Sequence, residues 1–252
     1  MRTDRTAGGY AGSSHPQGRE SATVGPQAEQ ARYGDACVVV PLYNEGTVVG
    51  DVVRDLRTSF PLVVAVDDGS ADDSAAVARE AGALVVQHPV NLGQGAALQT
   101  GVEVALRLGA QYVVTFDSDG QHQRTDAEAM VDRLRAGEAD VVFGSRFLDA
   151  RTKPGLVKRA VLRAAIVYSN ATTGVHLTDT HNGLRAFNRR AAAALRIRQN
   201  RMAHASEIIE QVGRARLRWV EQPVHILYTD YSRSKGQSVF NAVNILTEMI
   251  YR

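Results

Sequence analysis

From Ala36 onward the chain repeats one pattern: a short apolar run rich in Val, a polar break, then a stretch whose apolar residues recur at helical spacing. The runs are CVVVP (Cys37 to Pro41), LVVAV (Leu62 to Val66), LVVQH (Leu84 to His88), YVVTF (Tyr112 to Phe116) and DVVFGSR (Asp140 to Arg146). Short β-branched runs bounded by turn chemistry are strands, and strands alternating with helices of about 10–15 residues are βαβ units. Such units cover both faces of a parallel sheet with helices, so the strands can be apolar throughout rather than alternating. The expected fold is therefore α/β, with a Rossmann-like, mainly parallel central sheet flanked by helices.

The stretches between the runs fit. Asn44-Glu45 opens a helix carrying Val48, Val49, Val52, Val53 and Leu56 on one face. Ala71 to Ala81 is a second helix stopped by Gly82, Gly93 to Leu108 a third stopped by Gly109, and Thr125 to Arg135 a fourth. Beyond Arg146 the pattern loosens. Leu156 to Thr172 reads as a helix bearing Lys158, Arg159 and Arg163; Thr178 to Phe187 as a loop running into a strand; Ala203 to Arg214 as a helix. Leu217 to Tyr228 reads as one or two strands and Val239 to Tyr251 as a last helix with one apolar face. Met1 to about Tyr33 is Gly, Ser, Gln and charge, the composition of a disordered tail. The expected division is a tail over 1–34 and a single domain over 35–252.

Composition excludes several classes. A net charge of +2 without a dense basic run gives no footprint for nucleic acid. The single cysteine, Cys37, rules out an intrachain disulfide framework or a multi-thiolate metal site, and its apolar surroundings make it a small buried hydrophobe. No run approaches the ~18–20 apolar residues of a membrane span, and the N-terminus lacks a signal-peptide core. A cytoplasmic location is the expectation.

The chemistry is expected where the strands end. In a parallel sheet these ends share one edge, the edge where open α/β sheets bind ligands. Here they bring together Pro41 to Glu45, Asp67 to Ser70, Asn91 to Gly95, Asp117 to Asp119 and Gly144 to Arg146. Asp117-Ser118-Asp119 offers two carboxylates one residue apart, suited to a hard divalent cation that also takes phosphate oxygens and waters. Asp67 can accept from a base edge and Glu45 from ribose hydroxyls; Gly93 and Gly95 open a helix to close backbone approach. Position 98 is Leu rather than the third glycine of a dinucleotide fingerprint, and a Walker loop is absent. An apolar strand followed by DxDG also resembles the nucleophile motif of haloacid-dehalogenase-like phosphatases. Three complete βα units precede it here, however, and no later Asp-Asp pair ends a strand.

Taken in order, VVVPLYNE, VDDGS, NLGQGAAL, FDSDGQH, GSR, DTHNGLRAF and YSRSKGQS resemble a family-2 glycosyltransferase, within it the dolichol-phosphate-mannose-synthase-like enzymes that load a sugar onto a polyprenyl phosphate. The likeness spans about residues 36–240. It implies a GT-A fold with a nucleotide-binding half over about 35–146 and an acceptor half over about 147–252. It implies that Pro41, Tyr43, Glu45 and Asp67 hold the nucleoside of a GDP- or UDP-sugar. It further implies that Asp117 and Asp119 hold Mg²⁺ or Mn²⁺ on the diphosphate, with Gln121 as third ligand, and that Gly93 approaches the donor. Arg146, one of Lys158/Arg159, Arg233 and Lys235 are implied to meet the acceptor and donor phosphates. Asp179 and Arg185 fall on a DxxxGFR-like segment in which Leu184 replaces an aromatic residue, and Glu207 falls on a helix beside the sugar. Family members often carry C-terminal membrane helices, whereas this sequence stops at Arg252, so a peripheral position at the inner membrane face, with a separate membrane partner protein, is expected.

The charge balance then separates two acceptors. A phosphate monoester is already anionic and needs arginines to bring two anions together, which suits Arg146 and Arg233. A sugar hydroxyl needs a carboxylate base, for which Asp179 and Glu207 are the candidates. A non-catalytic nucleotide-sugar-binding protein is a further reading, opposed by the intact Asp117/Asp119 and Arg233/Lys235 pairs.

Overall fold

The computed structural model describes residues 32–148, 170, 174–200 and 203–227. All seven residues of β1 (Ala36–Leu42) are buried, as an apolar run without alternation requires of a central strand. It is flanked by β2 (Leu62–Asp67) and β4 (Tyr112–Thr115), and the sheet continues through β3 (Leu84–Gln87), β5 (Val141–Ser145), β6 (Arg185–Asn188) and β7 (Trp219–Pro223). The order is β3-β2-β1-β4-β6-β5-β7. Every neighbouring pair is parallel except those made by β6, which runs antiparallel to both β4 and β5.

Helices α1 (Val49–Arg57), α2 (Ser74–Glu80), α3 (Gln94–Arg107), α4 (Arg124–Arg135), α5 (Arg189–Ala194) and α6 (Ala203–Arg214) cover the sheet. Successive strand residues point to opposite faces, so the core splits in two. On one face Val38, Val40, Val63, Val114 and Val142 meet Val53 and Leu56 of α1 and Met130 and Val131 of α4. On the other, Val39, Val64, Val113 and Phe143 meet Leu98 and Val102 of α3 and Ile208, Ile209 and Val212 of α6. Burying each such aliphatic side chain is worth about 1.5–3 kcal/mol. Cys37 packs in the second layer, and burial pushes its thiol up to about 12, so it remains an inert hydrophobe at neutral pH.

The expected elements up to Ser145 are all present, with ends shifted by a few residues; α2 begins at Ser74 because Asp72 and Ser74 form a turn first. Residues 217–228 supply one described strand, β7. Helix α5 was not anticipated. Just ahead of residue 35, Tyr33 is 2% exposed, its ring lies 5.0 Å from that of Phe60 in a tilted contact, and its hydroxyl donates to Asp132 at 3.2 Å. The expected helices over 156–172 and 239–251, the side chains of Lys158, Arg159, Arg233 and Lys235, and the tail up to residue 31 lie outside the described residues.

Candidate active site

The six strands other than β6 run in one direction and end at one edge of the sheet. Because β6 runs backwards, it begins at that same edge: Thr115 pairs with Arg185, so the loop before Arg185 sits beside the residues that follow Thr115. Strand reversal thus brings the DTHNG loop (Asp179 to Gly183) against Asp117.

A cleft of about 510 Å³ opens at this edge. One side is made by Pro41 and Leu42 at the end of β1 and by Tyr43 and Glu45 after it, the other by Asn91 and Gly93 before α3 and Gln94 at its start, with Asp117, Ser118 and Asp119 between them. Asp68 builds the second wall: its Oδ1 accepts from the Leu92 N–H at 2.9 Å and meets His88 Nδ1 at 2.8 Å, while Oδ2 accepts from the Gly93 N–H at 2.7 Å. Gly93 has φ 95°, a backbone region costly for any residue with a Cβ, and it turns the chain into α3. His88 is itself fixed by Thr100 Oγ1 at 3.0 Å.

Two carboxylates share the floor. Asp117 Oδ2 accepts from His122 Nε2 at 3.0 Å and Oδ1 from Gln94 Nε2 at 3.2 Å. Burial opposes ionisation of Asp117, but the His122 hydrogen bond and the nearby His204 and Arg185 charges outweigh it, holding the carboxyl below its usual range. Asp119 accepts from the Gln121 N–H at 3.0 Å and from Gln121 Nε2 at 2.8 Å. Burial and the adjacent Asp117 charge push its carboxyl up to about 6. Two oxygen-donor carboxylates forced together in a half-buried cleft, one of them resisting ionisation, form an arrangement that a divalent cation relieves. Hard cations such as Mg²⁺ use one or two carboxylates alongside phosphate oxygens, so the donor set fits. No cluster of three or more His, Cys, Asp or Glu with ligand geometry occurs among the described residues.

Beyond β5, Arg146 grips Asp179 with Nε to Oδ2 at 2.6 Å and Nη2 to Oδ1 at 3.2 Å. The Asp179 side chain is 1% and the Arg146 side chain 12% exposed. Although burial pushes the Asp179 carboxyl up, the Arg146 charge and hydrogen bonds dominate and hold it low. Glu221 of β7 fixes the loop's start by accepting from the Thr178 N–H at 2.8 Å and the Asp179 N–H at 3.3 Å. Burial drives His181 down to about 4, so it is neutral at physiological pH.

Of the residues singled out from the sequence, Pro41, Tyr43, Glu45, Gly93, Asp117 and Asp119 line one cleft. Asp67 does not. It is 2% exposed, with its carboxylate engaged by Ser70 and by Gln87 Nε2 at 3.1 Å, and it is Asp68 that reaches the cleft. Gln121 is buried behind Asp119 and holds it rather than lining the cleft. Glu207 accepts from the Arg198 and Gln199 N–H groups at 3.0 and 2.8 Å, bracing a segment whose Gln199 carbonyl packs on Gly95 of α3. Asp68, Gln94 and Glu221 were missed; Asp68 and Gln94 lay within quoted motifs, and Glu221 carries no local signal.

Residues 37–196 match the family model described as glycosyl transferase family 2, and the chain belongs to that family. It is a glycosyltransferase with a GT-A-like fold. Among its relatives, the UDP-N-acetylglucosamine–dolichyl-phosphate N-acetylglucosaminyltransferase of Methanococcus voltae is 27% identical over 84% of this chain and 94% of that one. The polyprenol monophosphomannose synthase of Mycolicibacterium smegmatis is 32% identical over 68% and 66%. Among solved structures, glucosyl-3-phosphoglycerate synthase from Mycobacterium tuberculosis, in complex with Mn²⁺ and UDP-glucose, superposes with a TM-score of 0.65. That match is 20% identical and covers 89% of this chain and 79% of the other.

Proposed function

We propose that the protein transfers a sugar, with inversion, from a nucleotide-diphosphate-sugar donor to a polyprenyl phosphate in a Mg²⁺- or Mn²⁺-dependent reaction. The observation that carries this reading is the Asp117–Asp119 pair on the floor of the cleft, with an acceptor-side arginine, Arg146, held on the loop that abuts it. Relatives named for dolichyl and polyprenol phosphates, and a structural neighbour crystallised with Mn²⁺ and UDP-glucose, support the acceptor and the donor respectively.

In this reading Tyr43, Glu45 and Asp68 bound the nucleoside end of the cleft, while Gly93 and Gln94 at the head of α3 face the diphosphate, where helix N–H groups favour an anion. Asp117 and Asp119 hold the cation, which supplies positive charge to the leaving diphosphate. Asp179 keeps the Arg146 guanidinium oriented for the acceptor phosphate, whose oxygen is anionic near neutral pH and needs no strong base. The Leu227 N–H donates to the Gln121 carbonyl at 2.9 Å, which holds the last described residue beside the Asp119 loop. Arg233 and Lys235 are part of this proposal on the strength of the sequence resemblance alone. No described helix is long and apolar enough to cross a membrane. In this reading the polyprenyl phosphate is met at the membrane surface.

The test is a thermal-shift and calorimetric screen of UDP, GDP and their sugars with and without Mn²⁺. Ligands that bind only the native state raise its stability, by about 2.7 kcal/mol at a hundredfold excess over Kd. Metal-dependent stabilisation by one sugar nucleotide is expected; none with any nucleotide overturns the donor assignment.

A further inference from the structure

Asp117 is held from three elements: Gln94 at the start of α3, His122 in the loop after β4, and the loop before β6, which offers no polar group but a bare Cα. A methyl built on Gly183 would lie 2.5 Å from Oδ1 and 2.6 Å from Cγ of Asp117, and closer still to Oδ2. Real side chains do not approach so closely. A left-handed backbone does not account for the glycine, since Gly183 is not among the residues with positive φ. Nor can the loop retreat. The Gly183 carbonyl accepts from Thr115 Oγ1 at 2.8 Å, and the carbonyl of the next residue, Leu184, accepts from the Gly144 N–H at 3.0 Å. Four residues upstream the same loop carries Asp179, bonded to Arg146 and pinned by Glu221.

We infer that Gly183 is a positioning residue: its missing side chain is the surface against which the Asp117 carboxylate rests, and it sets the rotamer in which that carboxylate meets the cation. The DTHNG loop thereby joins the two halves of the site, with Arg146 held at one end through Asp179 and Asp117 seated at the other. The inference rests on the proposed metal role of Asp117, and the experiment separates the two. With the loop pinned, a methyl at 183 must push Asp117 aside and strain its bonds to His122 and Gln94.

The test is a double-mutant cycle on the full chain with two readouts, the thermal unfolding midpoint without metal and Mn²⁺ affinity by electron paramagnetic resonance. Gly183→Ala is expected to lower the midpoint by ~3 °C or more in the wild-type background. It should cause no loss in the Asp117→Ala background, where the space is vacated. Mn²⁺ affinity should fall at least tenfold in Gly183→Ala. If Gly183→Ala folds only in the Asp117→Ala background, the contact is supported in its strongest form; failure to fold in both backgrounds overturns it. Equal losses in both backgrounds, or unchanged Mn²⁺ affinity beside a wild type that binds, likewise overturn it. A wild type that binds no Mn²⁺ overturns the metal reading instead, and the stability cycle then decides the role of Gly183 alone.

Discussion

Asp119→Asn should make the metal-free protein more stable while removing its metal binding. The folded carboxyl is raised to about 6 by burial and by Asp117, whereas an unfolded Asp ionises near 3.9. Between these values the folded state holds more protons than the unfolded state, so stability falls as pH rises through the window and the penalty is complete above about pH 6. Two pH units correspond to at most ~3 kcal/mol, and solvent around this half-buried group reduces that to about 1–2 kcal/mol. Asparagine removes the charge and keeps both contacts with Gln121 once that amide turns over. Urea unfolding in chelator at about pH 7.5 and about pH 4 measures the effect. The variant should gain about 1–2 kcal/mol at the higher pH and little at the lower, and should lose Mn²⁺ binding in calorimetry. A variant no more stable than wild type at pH 7.5, or gaining equally at both pH values, refutes the picture of two crowded carboxylates awaiting a cation.

Asp68→Ala removes the acceptor for His88 and for the Leu92 and Gly93 N–H groups; it should cost about 2–4 kcal/mol in denaturant unfolding and weaken donor binding at least tenfold by calorimetry. Asp67→Ala should be the opposite case, losing about 1–3 kcal/mol of stability while donor Kd changes less than Asp68→Ala changes it; a larger loss of donor affinity at Asp67 would return that residue to the nucleoside site. Asp179→Asn leaves Arg146 without its buried counter-charge and should cost about 3–5 kcal/mol near neutral pH. Because the folded Asp179 carboxyl is held low, its stabilisation is present above about pH 4 and lost as pH falls through the folded value, so the gap between wild type and variant should close on acidification.

Much of this arrangement was legible in the sequence because the central strands are buried on both faces and carry no polar interruption until they reach the edge. That makes each strand end visible as a switch from Val to Asp, Asn or Gly, and the edge gathers those ends without further instruction. What escaped is non-local. Nothing in RAFN reveals that β6 runs backwards between β4 and β5, yet that reversal seats Gly183 on Asp117. Asp67 and Asp68 are adjacent carboxylates, and one step along the chain decides which faces the cleft. Glu207 is spent on amides eight and nine residues earlier, a loop closure that helical periodicity does not encode. The short α5 had a readable signal: Asn188 caps it by accepting from the Ala191 N–H ahead of an alanine run.

Transfer itself is measured by incubating the protein with a short-chain polyprenyl phosphate, a panel of UDP- and GDP-sugars and Mn²⁺, then following the lipid by mass spectrometry. A sugar–phosphate lipid of inverted anomeric configuration should form with one donor and vanish with chelator. Robust transfer to a sugar or protein hydroxyl with none to the lipid phosphate would contradict the acceptor, and turnover unchanged by chelator would contradict the role given to Asp117 and Asp119.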